Sequence, residues 1–309
     1  MRPLLFESYT YETIWAGHRL EAFRRSSDKI GTSFEVSAHP TGSTRIANIE
    51  GQPLFLDYLK GREEALLGPD WTIHDLMRTC FLDTSDVLSV QVHPDDDYAQ
   101  LHSHDDGKDE SWYIVDADED AFLYAGATTK NLDVLHQALE KGTIQDYMRK
   151  WHVHAGDYID IPHGTLHALG ANILAYEMGT NSNTTYRFYD WNRVDANGQK
   201  RPLHIKESFD VVDLKRKPHF VRAQKTSHRL SEMDHYVIDE LYINSPKTIN
   251  CGETYFIITN IEKEPIDVFV NNETIPLEGY KAMFVPYSTK QIHINKAHLL
   301  LSRPRKESL

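Results

Sequence analysis

The sequence predicts a mainly β protein. A larger β-sandwich or barrel carries two helical insertions and is followed by a smaller, related β unit. Three observations carry this reading. Short runs rich in β-branched and aromatic residues, many of them alternating, recur between Gly, Pro and Asp turn signals along the 309 residues. Helical periodicity is confined to two places. The character of the chain shifts near residue 220, after which almost every segment is strand-like.

The elements follow in order. Phe34-Glu-Val-Ser-Ala-His39 alternates, as a half-buried strand does. The first helical insertion is expected near 53–78, where Leu54, Phe55, Leu56, Tyr58 and Leu59, then Ile73, Leu76 and Met77, fit a 3.6 period. Asp86-Val-Leu-Ser-Val-Gln-Val-His93, Trp112-Tyr-Ile-Val115 and Phe122-Leu-Tyr124 read as strands. The second insertion is expected near 131–150, from Leu132, Leu135, Leu139, Ile144 and Met148. Asp157-Tyr-Ile-Asp-Ile161 is a further strand. A β core with helical insertions fits this order better than strict α/β alternation.

Asp213-Leu-Lys-Arg-Lys-Pro218 is basic and ends in proline, so it reads as a connector. Two units are expected, 1–220 and 221–309. The second contains Tyr236-Val-Ile-Asp, Glu240-Leu-Tyr-Ile-Asn, Tyr255 to Ile261, Ile266 to Val270, Ala282 to Pro286 and Ile292-His-Ile294. A weak internal repeat links the units. Val153 to Pro162, followed by His167, is echoed by Leu277 to Pro286, followed by His293. The second copy lacks a Q-x-H pair and a well-placed Glu, so the first unit is expected to be functional and the second degenerate.

A formal charge of −13 argues against non-specific nucleic-acid binding, which needs clustered Lys and Arg. It does not exclude a small anion held by a few local basic residues. Cys80 and Cys251 form no CxxC, so neither a disulfide framework nor a thiolate metal site is expected. The N-terminus has no secretory h-region and no run approaches the roughly 18 apolar residues of a membrane helix. A cytoplasmic protein is expected.

The chemistry concentrates in Ser89-Val-Gln91-Val-His93-Pro-Asp-Asp and Ile161-Pro-His163-Gly-Thr-Leu-His167, with Glu110 between them. On a strand, residues i and i+2 share a face, so Gln91 and His93 project side by side. Two imidazoles, one carboxylate and one amide suit a divalent metal with room left for a substrate. A lone QxH carries no weight, and a single histidine is more often structural. Two histidines and a carboxylate also match non-haem iron sites, against which Gln91 adds a fourth ligand. The stretch Glu177 to Trp191 places Arg187 between Tyr186 and Phe188. Such an arginine needs a carboxylate, with Asp190 and Glu177 the candidates, or an anionic ligand.

Together these stretches closely resemble the class I mannose-6-phosphate isomerases in their short bacterial form. The resemblance runs from Ile14-Trp15-Ala16-Gly17 through Gly31 to Pro40, Leu88 to Asp96, Gly107 to Tyr113, Ile161 to Ala168 and Thr184 to Asp190, ending at Gly198-Gln-Lys-Arg201. It implies a cupin-type jelly roll with one Zn²⁺ per chain. Positions matching Gln91, His93, Glu110 and His167 hold the metal in that family. The position matching Arg187 is catalytic, and Lys108 and Glu177 match polar residues of the pocket. The implied reaction interconverts mannose 6-phosphate and fructose 6-phosphate through a cis-enediol. A phosphorylated hexose is then the partner, and the chain is a monomer or weak homodimer. The proton carrier stays open between Lys108, a metal-bound water and a nearby carboxylate; Lys108 and Ser89 are candidate phosphate contacts. Trp15-Ala16-Gly17, Gly31 to Glu35, His163 and Met178 to Asn183 depart from the family's usual pattern, the last two near the expected pocket mouth. They keep open a different sugar phosphate as substrate. A non-catalytic sugar-binding protein is the remaining alternative.

Overall fold

The computed structural model describes residues 1–24, 29–194 and 198–306. Four antiparallel sheets stack face to face. In the first unit a seven-stranded sheet runs Phe220–Val221, Tyr158–Ile161, Glu110–Ala117, Ile173–Thr180, Met77–Thr84, Ile30–Val36, Tyr9–Glu12. Facing it is a five-stranded sheet: Tyr186–Tyr189, Val90–Val92, His167–Ala168, Phe122–Ala127, Met148–His152. The second unit pairs another seven-stranded sheet with a four-stranded one made of Lys247–Asn250, Gln291–Ile294, Ile266–Val270 and Glu273–Leu277.

The chain's own start joins the second unit. Leu4–Glu7 pairs with Lys281–Val285, and Arg45–Ile46 pairs with Leu4–Glu7. Phe220–Val221 pairs with Tyr158–Ile161 in the first sheet, so we propose that the division between units lies just past the expected 220–221 boundary, with these two N-terminal strands crossing over.

The first helical insertion is shorter than its periodicity implies. Helices span Phe55–Leu59 and Glu63–Leu67, a 3-10 turn spans Ile73–Asp75, and Met77 opens a strand. All eight residues of Met77–Thr84 are buried. A strand covered on both faces carries no period-2 signal, so its apolar residues blended with the helical stripe before it. The second insertion is the helix Leu132–Lys141, begun by Asn131, whose side chain accepts from Asp133 N, and followed by a 3-10 turn, Ile144–Tyr147. Met148 again opens a strand.

The stacking gives each strand of the central sheet two different faces. In Glu110–Ala117, Trp112 and Ile114 enter the core between the two sheets of the first unit, while Tyr113 packs toward the second unit. Polar bonds reinforce that outer contact. Asp160 accepts from Ser111 Oγ at 2.8 Å, Tyr158 OH at 2.7 Å and Ser231 Oγ at 2.8 Å, and Tyr113 OH donates to Glu240 at 2.6 Å. The strand that carries Glu110 is therefore clamped from behind. Behind the five-stranded sheet, Val90, Val92 and Phe188 pack on Leu135 and Ala138 of the long helix. Their alternation turns Gln91 and Arg187 inward.

Candidate metal centre

His93, Glu110 and His167 meet between the two sheets of the first unit, each 1% exposed. Their ligand atoms all lie within 4.8 Å of one another. Glu110 opens its strand on the large sheet, His167 sits on the two-residue strand of the small sheet, and His93 directly follows Val90–Val92. Glu110 Oε2 is 3.2 Å from His93 Nε2, and Glu110 Oε1 is 3.3 Å from His167 Nε2. Gln91 pairs with His167 on one side and with Arg187 on the other.

Backbone carbonyls orient both imidazoles. His93 Nδ1 donates to Thr184 O and His167 Nδ1 to Thr165 O, each at 2.9 Å. These bonds assign the proton to Nδ1 and leave each Nε2 as a lone pair facing Glu110. Burial, with the Lys108 charge second, pulls His93 down to about 4. Burial lowers His167 as well. Burial alone would raise Glu110, but Lys108 and the two histidines outweigh it and hold the carboxyl well below its usual range. Two neutral imidazoles and one carboxylate are the protonation states a divalent cation requires.

The fit is also visible in what these groups lack. His93 Nε2, His167 Nε2 and Glu110 Oε1 are buried and have no hydrogen-bond partner. Buried acceptors left unpaired cost roughly 1–3 kcal/mol each. Three of them converging on one point make a site that a cation would complete.

Lys108 Nζ lies 2.6 Å from Glu110 Oε2 and donates to Glu177 Oε1 at 2.9 Å. Burial opposes its charge, yet Glu110 and Glu177 raise it above an ordinary lysine, so it is an ammonium. Glu177 Oε2 also accepts from Trp112 Nε1 at 3.2 Å. A cavity of about 160 Å³ reaches this group; Gln91, Lys108, Glu110, Trp112, His167 and Glu177 line it together with apolar residues that include Trp15, Phe34 and Leu82.

Among the described residues Arg187 has no carboxylate partner. Its Nη1 donates to Pro202 O at 2.9 Å and its Nε is buried without a partner. Asp190, one expected partner, is taken by Arg193 and Arg201, and Glu177 is taken by Lys108 and Trp112. Arg187 faces inward beside Gln91 but does not line the 160 Å³ cavity. Ser89 is 2% exposed and accepts from the Gln91 amide at 3.1 Å, which makes it a support for Gln91. His163 turns away from the cavity: its Nδ1 bonds Asp109 at 3.0 Å and its Nε2 meets Arg216 Nη2 at 2.7 Å.

The carbonyls of Thr184 and Thr165 went unforeseen because any residue could supply them. Arg78 was missed for another reason. It lay in what read as the end of a helix, whereas it sits on the strand whose Cys80 and Leu82 line the cavity.

The chain was compared with known proteins. No family model matches it. A Streptococcus mutans mannose-6-phosphate isomerase is 38% identical over 215 residues, covering 69% of this chain and 68% of that protein. A Bacillus subtilis mannose-6-phosphate isomerase is 31% identical over 295 residues, covering 92% and 93%. A crystal structure of the Bacillus subtilis mannose 6-phosphate isomerase superposes with a TM-score of 0.85 at 26% identity, covering 98% and 99%. The stacked antiparallel sheets share the cupin-type architecture of such structures. On sequence and architecture together, the chain belongs to the mannose-6-phosphate isomerase family.

Proposed function

We propose that the chain interconverts mannose 6-phosphate and fructose 6-phosphate, using one Zn²⁺ held by His93, Glu110 and His167 with Gln91 as the further ligand. The observation that carries this is the convergence of three buried, unpaired donor atoms, two of them on residues that line a cavity, in a member of this family. Nitrogen and carboxylate donors without thiolate are a common zinc set that leaves a position open.

When bound, the ion would act as a Lewis acid toward the substrate's carbonyl and hydroxyl oxygens. The remaining work falls to the chain. A proton must move between adjacent carbons through a cis-enediol, which needs a group that can both take and return it. Lys108 enters as an ammonium and has no lone pair to offer. Glu110 is committed to the ion. Glu177 is the cavity carboxylate that remains, fixed by Lys108 and Trp112, and we assign it the proton transfer. Lys108 supplies the positive charge that holds the Glu110 carboxyl below its usual range and bonds Glu177 in place. Arg187 stays charged at any working pH and brings a partner-free Nε to the inner side of the small sheet, where it would stabilise developing oxyanion charge.

The test is a coupled assay of mannose 6-phosphate conversion with and without a chelator. Turnover lost with chelator and restored by Zn²⁺ is expected; full turnover in metal-free protein contradicts the proposal. Glu177→Gln is expected to abolish exchange of the C2 hydrogen with solvent while keeping the metal. Arg187→Ala is expected to lose activity while keeping metal and fold. Elemental analysis of protein purified without added metal separates zinc from iron. A different sugar phosphate as substrate is the second reading, favoured by the unusual Met178 to Asn183 segment, and a panel of aldose and ketose phosphates decides it.

A further inference from the structure

A phosphorylated hexose carries a dianion at the end opposite its reacting carbons, and something must hold it. Neither sequence candidate does so in this structure. Lys108 is neutralised by Glu110 and Glu177, and Ser89 is buried under Gln91. The candidate cation is Arg78.

Arg78 is 7% exposed and its partners are all neutral. Nε donates to Ser37 Oγ at 3.1 Å, and Nη1 donates to Ser182 O at 3.1 Å and Asn183 Oδ1 at 2.9 Å. Nη2 makes only a 3.4 Å contact with Thr41 O and keeps a second N–H to give. Arg24, Lys108 and Arg193 by contrast each meet a carboxylate: Glu35, Glu110 and Asp190. Glu177 and Asp105 favour its charge from a distance, but none of its hydrogen bonds goes to a carboxylate, and an anionic ligand would offset the cost of burial.

Its place in the sheet fits that role. Arg78 pairs across the central sheet with Gly179, and Gly179 pairs with Glu110, so all three share one transverse row and one face. Two strand spacings separate Arg78 from the metal ligand, roughly 10 Å. The position between them in that row, Gly179, carries no side chain. The next row runs Tyr9, Phe34, Cys80, Glu177, Trp112, from the exposed sheet edge to the cavity. The Arg78 guanidinium stacks on Phe34, with Cζ 4.0 Å from the ring centre, and Phe34 lines the cavity. Gly42, at φ 127, lets the backbone pass close to Nη2 and the exposed Tyr9 ring; a Cβ there would crowd both at 3.2 Å.

We propose that Arg78 anchors the phosphate of the substrate through the free N–H of Nη2, while the other end of the sugar reaches Glu110. This rests on the reading of the substrate as a sugar phosphate. Arginine suits the task because its charge is permanent and its planar fork matches phosphate oxygens.

Steady-state kinetics of metal-loaded wild type, Arg78→Lys and Arg78→Met test it, with inorganic phosphate as competing ligand. In Arg78→Met, the KM for mannose 6-phosphate and the inhibition constant for inorganic phosphate should rise together at least tenfold, with kcat falling less than threefold. Arg78→Lys should lie between. A fall in kcat at unchanged KM would assign Arg78 to the scaffold and overturn the proposal, as would unchanged constants. Should Arg78→Met not fold, Arg78→Lys decides alone: it keeps the charge but loses the fork, and an unchanged KM contradicts the role. Thermal melting separates this claim from the assigned substrate. Inorganic phosphate should raise the wild-type midpoint but not that of Arg78→Met, even if mannose 6-phosphate is not turned over. A phosphate shift of equal size in both proteins sinks the anchor.

Discussion

The two β units fill equivalent interiors with opposite chemistry. In the second unit, Phe256, Ile258, Met283 and Leu299 meet Val268, Ile275, Ile292 and Ile294 in an apolar layer. In the first, the corresponding space holds two histidines, two carboxylates and a lysine beside Trp112 and Ile114. Even the weak sequence repeat follows this contrast. His167 lies buried on a short strand of the small sheet, while His293 lies exposed on a strand of the other small sheet, where it bonds Thr248 Oγ1 at 2.8 Å. Among the described residues one group of side chains converges closely enough to hold a metal, and it is in the first unit. The first interior gives up packing for unpaired polar atoms; the second supplies cohesion through the shared core.

The sharpest way to break the comparison is to exchange its histidines for alanine. His167→Ala should lose the metal and lower turnover by well over roughly 10²-fold, since even a residue supporting a metal ligand is worth about 10–100-fold. Metal content by elemental analysis and the coupled assay read this.

Next in size is the apolar interior. Phe256→Ala, at a fully buried position, should cost about 3–5 kcal/mol of stability. Turnover per folded molecule should not change. Denaturant unfolding with an activity titration checks both halves. A matching loss of kcat would mean that the second unit shapes the site.

The units should also answer pH with opposite signs. In metal-free protein, burial and Lys108 hold His93 at about 4, below the ordinary 6.5. The unfolded chain then binds more protons between those values. Stability should therefore fall as pH drops from about 6.5 toward 4, by on the order of 3 kcal/mol from this group. His298 of the second unit is the reverse. Burial lowers it, but bonds to Glu240 at 2.8 Å and Glu262 at 2.6 Å outweigh burial and raise it. Its contribution is full below the ordinary imidazole value and is lost as pH rises through the raised one. His298→Gln should thus destabilise at pH 6 more than at pH 9, read by thermal melting at the two pH values.

The smallest effect belongs to His293→Ala. The residue is exposed, so stability should change by less than about 0.5 kcal/mol and metal content not at all.

Much of this contrast is legible in the sequence, for definite physical reasons. Period-2 alternation put Gln91 and His93 on one face, and the order of the strand signals marked the segments that carry Glu110 and His167. Two things were not legible. The return of Leu4–Glu7 into the second unit depends on long-range pairing that no local pattern encodes. Arg78 was hidden because Met77–Thr84 is buried on both faces and so shows no strand period. A charged residue inside so apolar a run was the available signal, since it implies a buried charge in need of a partner.

The central claim is that His93, Glu110 and His167 hold one catalytic metal ion. It is tested most directly by measuring metal content and mannose 6-phosphate turnover together, in wild type and His93→Ala purified without added metal. One ion per chain with turnover in wild type, and neither in a folded His93→Ala, is the predicted result. A His93→Ala protein with stoichiometric metal and normal turnover would contradict it.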